Sequence, residues 1–112
     1  MALTIREYLT PDGRSPFRDW LQTLDLLVRA RVQARILRFE MGNLGDHKAL
    51  DDGVWEARLA FGPGYRIYFG KDGRSIIVLL LGGDKASQSR DIRRSRRFWK
   101  DYLKGRRHGP TQ

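Results

Sequence analysis

Val54-Trp55-Glu56-Ala57-Arg58-Leu59-Ala60-Phe61, then Gly62-Pro63-Gly64, then Tyr65-Arg66-Ile67-Tyr68-Phe69 is the stretch that decides the fold. Each arm alternates apolar and polar residues with the period of a half-buried strand, and the glycine–proline turn between them marks a hairpin. With Phe61 facing Tyr65, Leu59 faces Ile67 and Ala57 faces Phe69, which are apolar pairs suited to a core face. The other face then carries Glu56, Arg58, Arg66 and Tyr68, with Arg58 opposite Tyr68. That face is expected to be an exposed patch, because a one-residue slip would bury both arginines.

Working outward, Lys71-Asp72-Gly73-Arg74 is the next turn, and residues 75–81 form a nearly continuous apolar run. Such a run reads as a central strand covered on both faces. Gly82-Gly83 breaks it, and Ser87 or Ser89 can cap a final helix to about Lys104, with Ile92, Trp99 and Leu103 on its apolar stripe. Upstream, residues 3–9 alternate like a strand, and Pro11-Asp12-Gly13-Arg14 is a turn. Ser15-Pro16 signals the start of a short helix bearing Phe17, Trp20, Leu21 and Leu24. Asp25 caps a second helix whose stripe is Val28, Val32, Ile36 and Phe39, and Gly42, Asn43 and Gly45 end it. The pattern predicts an α+β domain over residues 1–104. It is a small antiparallel sheet with an N-terminal helical hairpin and a C-terminal helix, all helices on one face. Residues 105–112 read as a basic polar tail without order.

A chain of 112 residues buries roughly two-thirds of its unfolded surface, enough for an ordinary core. There is no cysteine, hence no disulfide and no thiolate metal site. The first residues lack the apolar run of a signal peptide, and the apolar run at 76–81 is far too short to span a bilayer. A cytoplasmic location and no membrane partner are expected.

Charge narrows the function. Residues 1–84 hold 12 Lys/Arg against 11 Asp/Glu, whereas residues 85–112 hold 10 against 2. A near-neutral body with a concentrated cationic end points to a polyanion, since a merely solubilising face would carry balancing acids. The residue types on the hairpin suit phosphodiester chemistry. Arginine forks match phosphate oxygens and stay charged at any working pH. RNA carries its own nucleophile, so cleavage needs a base, an acid and cations on the developing phosphorane, but no metal or other cofactor. The bland alternative is a surface Arg–Glu pair with a cross-strand Arg–Tyr contact, worth under about 1 kcal/mol. His47 and His108 stand alone without metal or triad spacing, and Gly82-Gly83-Asp84-Lys85 lacks the spacing of a phosphate-binding loop. Trp20, Trp55 and Trp99 are spaced as core anchors.

Three segments together resemble the RelE/ParE superfamily of bacterial toxins, in its HigB-like, phage-derived or addiction-module killer branch. They are Val54-Trp55-Glu56-Ala57-Arg58, Gly64-Tyr65-Arg66-Ile67-Tyr68-Phe69 and the run Leu81-Gly82-Gly83-Asp84-Lys85-Ala86-Ser87-Gln88-Ser89-Arg90-Asp91-Ile92. The final helix, with Trp99 and Tyr102, continues the pattern, so the likeness spans about residues 3–104. The resemblance implies a type II toxin, a ribosome-dependent endoribonuclease (mRNA interferase) that cuts mRNA under translation. It also implies a helix-turn-helix antitoxin that silences it. Arg58, Arg66 and Lys85 fall where this group carries its basic residues, with Tyr68 a looser match. The first two would hold the scissile phosphate. Lys85 would act as a cation or base, and Tyr68 would stack on a base or position a proton. Arg90, Arg93, Arg94, Arg97 and Lys100 of the final helix would grip ribosomal RNA. Several members use active-site histidines, which these three segments lack, so the base and acid stay open. So do three other readings: a ParE-like gyrase inhibitor, a nucleic-acid-binding module without chemistry, and an inert antitoxin-binding scaffold.

Overall fold

A computed structural model describes residues 2–107. The chain runs β1 (Thr4–Glu7), α1 (Pro16–Thr23), α2 (Leu26–Glu40), β2 (His47–Ala49), β3 (Val54–Arg58), β4 (Arg66–Asp72), β5 (Ile76–Gly83) and α3 (Gln88–Arg107). The expected α+β class holds, as do both N-terminal caps. Ser15 Oγ accepts from the Arg18 amide at 3.1 Å, and an Asp25 carboxylate oxygen accepts from the Val28 amide at 3.0 Å.

The sheet corrects the sequence reading in three ways. It has five strands in the order β1-β5-β4-β3-β2, because residues 47–49 add an edge strand that no apolar alternation announces. It is mixed, since β1 pairs parallel to β5, with Thr4 beside Ile76 and Glu7 beside Leu79. Helices cover both faces. Phe17, Leu21, Val32 and Phe39 pack against Ala57, Ile67, Phe69, Ile77 and Leu79 on one side. On the other side Trp99 of α3, flanked by Ile92 and Leu103, packs against Val54, Tyr68, Val78, Leu80 and Leu81. The apolar stripe of α3 needs a surface, and the sheet face left free by α1 and α2 is the one available.

β5 is buried on both faces, as its composition demands. A bulge in its pairing with β4 sets Tyr68 beside Leu81 but Phe69 beside Leu79, so Leu80 and Leu81 both belong to the α3-side core. Two glycines let tryptophans lie directly on the sheet. A Cβ at Gly82 would come within 2.1 Å of Trp20, and one at Gly70 within 2.3 Å of Trp99. Trp55 stacks on Phe69. All three tryptophans therefore act as the anchors their spacing suggests. Near its C-terminal end α3 is pinned by polar contacts: the Tyr8 hydroxyl donates to Asp101 at 2.6 Å and that of Tyr102 to Asp72 at 2.7 Å.

The helix continues through Arg107, so residues 105–107 are not part of a loose tail; residues 108–112, including His108, lie outside the described residues. No helix among the described residues is long and apolar enough to cross a membrane.

Candidate nucleic-acid interface

The hairpin register is shifted by two residues from expectation. Arg58 pairs with Arg66, Ala57 with Ile67, Glu56 with Tyr68 and Trp55 with Phe69. The connection is correspondingly wider than a three-residue turn, closed where the Leu59 amide donates to the Tyr65 carbonyl at 3.0 Å. An even shift changes partners but not faces, so Glu56, Arg58, Arg66 and Tyr68 do share one side of the sheet.

That side is not an open patch, because α3 lies across it. Tyr68 and Glu56 have no exposed surface, and Arg66 keeps only 8%. Arg58 remains exposed at the end of β3. Tyr68 therefore cannot stack on a nucleotide base. Burial, and then the carboxylates of Glu56 and Asp91, push its pKa well above that of a free phenol, so it stays neutral. Strand alternation fixes only which residues share a face; the apolar stripe of α3 decides that this face is covered.

Glu56 is the hub of the site. One carboxylate oxygen meets Arg58 Nε at 3.3 Å. The other accepts from Gln88 Nε2 at 2.8 Å and lies 3.5 Å from Arg66 Nε. Arg66 Nη1 also donates to the Gly64 carbonyl at 2.6 Å, tying the guanidinium to the loop. Lys85 closes the arrangement from the β5–α3 turn, its amide 3.3 Å from the Pro63 carbonyl. A Cβ on Gly64 would lie 3.1 Å from Arg66 Nη1 and 3.3 Å from Lys85 Cβ, so these two residues flank the same glycine. The Lys85 side chain is exposed. Two guanidinium groups, from β3 and β4, thus share one buried carboxylate, and the β5–α3 turn brings Lys85 beside the Gly64 loop that Arg66 holds. The neighbouring acids Asp84 and Asp91 are engaged by Ser87.

Sequence reasoning missed two residues of this framework. Gln88 opens α3 and anchors Glu56, but a lone glutamine gives no signal. Arg35 is not among the apolar residues of the α2 stripe, yet it is buried. Its guanidinium donates to the carbonyls of Arg58 at 2.7 Å, Asp46 at 2.8 Å and Leu44 at 3.1 Å. It thereby fixes the backbone from which Arg58 projects. Desolvation lowers its pKa from the ordinary guanidinium range.

The predicted contact residues on α3 form a real face. Arg90, Arg93, Arg97 and Lys100 are exposed at spacings of three and four, while Asp91, Ser95 and Trp99 point inward. Arg94 is half-buried, its guanidinium 5.5 Å from the Phe98 ring centroid. An open cleft of about 1070 Å³ lies beside this face, bordered by Trp20, Tyr65, Ser87, Arg90 and Arg94. Neither Arg58 nor Arg66 lines it, so the cation cluster and the cleft are separate features. His47 sits on β2, its Nδ1 2.7 Å from the Gly45 carbonyl. No group of acidic or histidine side chains among the described residues has the geometry of a metal site.

No model of a known protein family matches the chain. Among curated proteins, an uncharacterized protein of Haemophilus influenzae is 38% identical over 97 residues, covering 86% of this chain and 92% of the relative. The chain belongs to the same family as that protein. The likeness extends over nearly the whole of both sequences, so the relative is of similar extent rather than a larger protein containing this domain.

Proposed function

We propose that this chain is the toxin of a type II toxin–antitoxin pair, related to the HigB-like branch of the RelE/ParE superfamily, and that it cuts mRNA on translating ribosomes. The observation that carries this reading is the pairing of Arg58 and Arg66 with a single buried carboxylate, beside the turn that carries the exposed Lys85. Glu56 balances one of the two guanidinium charges paired with it, and an anion of phosphodiester size would balance the other. The strand order that assembles it follows the three segments that resemble the superfamily.

In this mechanism the RNA 2′-hydroxyl gives its proton to solvent water as its oxygen attacks the adjacent phosphorus, the bond to the 5′-oxygen breaks and that oxygen takes a proton from water, leaving a 2′,3′-cyclic phosphate and a 5′-hydroxyl. Arg58 and Lys85, exposed at the mouth of the cluster, contact the phosphate and stabilise the phosphorane. Arg66, nearly buried, acts mainly as the clamp that joins Glu56 to the Gly64 loop. Glu56 is occupied in holding the two guanidinium groups. No cofactor is required, because the nucleophile belongs to the substrate. In the cell the partners of this activity are the ribosome, the mRNA and a helix-turn-helix antitoxin.

Expression without an antitoxin is expected to arrest growth and translation, with new 5′ ends appearing in mapped mRNA within minutes. A folded, abundant protein without growth effect overturns the reading. Growth arrest with a DNA-damage response and intact mRNA replaces it with gyrase inhibition.

The α3 face should supply affinity rather than chemistry. Arg93→Glu combined with Arg97→Glu reverses two exposed charges that hold nothing in the fold. Ribosome binding is expected to weaken, and the slope of log affinity against log salt to flatten by about 2, near one unit per lost phosphate contact. Co-sedimentation with ribosomes across a salt series measures both.

A further inference from the structure

Helix α2 carries a second apolar stripe that the fold does not use. Its inner stripe, including Val32 and Phe39, faces the sheet. On the outer side Leu27, Ala30, Ala34, Leu37 and Met41 recur at intervals of three, four, three and four residues, and Leu26 extends the row. That is the spacing of a helix-pairing seam, with alanines at the centre where two backbones can approach closely. Leu26 is 77% exposed, Leu27 72%, Leu37 59% and Met41 75%. Four of the five large apolar side chains exposed among the described residues therefore lie in one line, the fifth being Leu9. An exposed apolar row of this length marks an interaction surface rather than scattered surface leucines.

The charges beside the row define the occupant. Arg31 and Arg38 border one side of the seam, seven residues apart and therefore on one edge. The Arg31 guanidinium lies 4.7 Å from the Phe61 ring centroid, and neither arginine is in an ion pair among the described residues. A second copy is a poor occupant. An antiparallel pair would set Arg31 of one copy beside Arg38 of the other, and each copy brings a net charge of +9. We propose that the outer face of α2 docks an amphipathic helix of a different protein, with apolar residues at three–four spacing and acidic residues along the edge that meets Arg31 and Arg38. The seam from Leu27 to Met41 fits about four turns of such a helix. It lies apart from the cation cluster, so the docking is testable whether or not the chain cuts RNA.

The test uses the full chain and two fluorescent 21-residue designed helices with the same leucine seam, one edged with glutamate and one with lysine. Anisotropy is expected to give micromolar binding of the glutamate peptide and at least tenfold weaker binding of the lysine peptide. Leu37→Glu should weaken the glutamate peptide at least tenfold with an unchanged melting temperature, since Leu37 is exposed. Arg38→Glu should narrow the difference between the two peptides. Absence of binding at millimolar peptide, equal binding of both peptides, or indifference to Leu37→Glu overturns the proposal. So does sedimentation showing a dimer of the chain alone that Leu37→Glu dissociates, which would assign the seam to a second copy.

Discussion

Glu56→Ala is expected to cost about 3 kcal/mol of stability, the range for removing one partner of a buried ion pair. For a domain of this size that lowers the melting temperature by on the order of 10 °C or more. The reason is the state in which it leaves its neighbours. Arg66 keeps one tenth of its side chain exposed and would retain only the Gly64 carbonyl as a partner. Gln88 Nε2 would lose its acceptor at the start of α3. Glu56→Gln fills the same space and leaves an acceptor for Gln88, so its loss should be smaller, although the arginines lose their counter-charge. If the carboxylate were a simple surface partner, both variants would melt within about 0.5 kcal/mol of the parent. Thermal and urea unfolding of the three proteins separates these outcomes. RNA cleavage should fall in both variants, because the Arg58 guanidinium loses the oxygen that orients it.

Arg58→Ala is expected to reduce cleavage on translating ribosomes about a hundredfold, equivalent to roughly 3 kcal/mol of transition-state stabilisation. Its effect on stability should stay below about 1 kcal/mol, since the side chain is 43% exposed and its ion pair is accordingly screened. Arg58→Lys should recover only part of the rate, because an ammonium cannot form the two-pronged contact of a guanidinium. Arg66→Ala is a less informative experiment. It removes a clamp as well as a cation, and should cost about 1–3 kcal/mol in stability together with activity. Equal cleavage by Arg58→Ala at equal stability would take Arg58 out of the site and with it the proposed phosphate contact.

The error in hairpin register and the success in face assignment have one origin. Alternation is a property of each strand alone, so Trp55, Ala57, Ile67 and Phe69 were legible as core from their neighbours in sequence. Which residue of β4 lies opposite Arg58 depends on where the 59–65 connection closes, and Arg58 consequently meets Arg66 instead of Tyr68. The helix caps at Ser15 and Asp25 were equally legible, because a cap is made within three residues. The basic face of α3 was readable for the same reason, helical spacing being local. Glu56 was visible as a member of the patch but not as its buried centre, since its partners come from β4 and α3.

By itself the sequence determined the α+β class, the identity of most helices and strands, the side of the sheet on which the cations fall and the strong positive charge of the C-terminal helix. These follow from periodicities and end signals that act over a few residues. Only the tertiary structure decided that β1 joins β5 in parallel, that β2 extends the other edge, that α3 covers Tyr68 and Glu56, and that the outer row of α2 remains uncovered. Each of these depends on which apolar surface meets which other across long separations in the chain. That choice is settled by the total area all elements can bury together, which no local pattern contains.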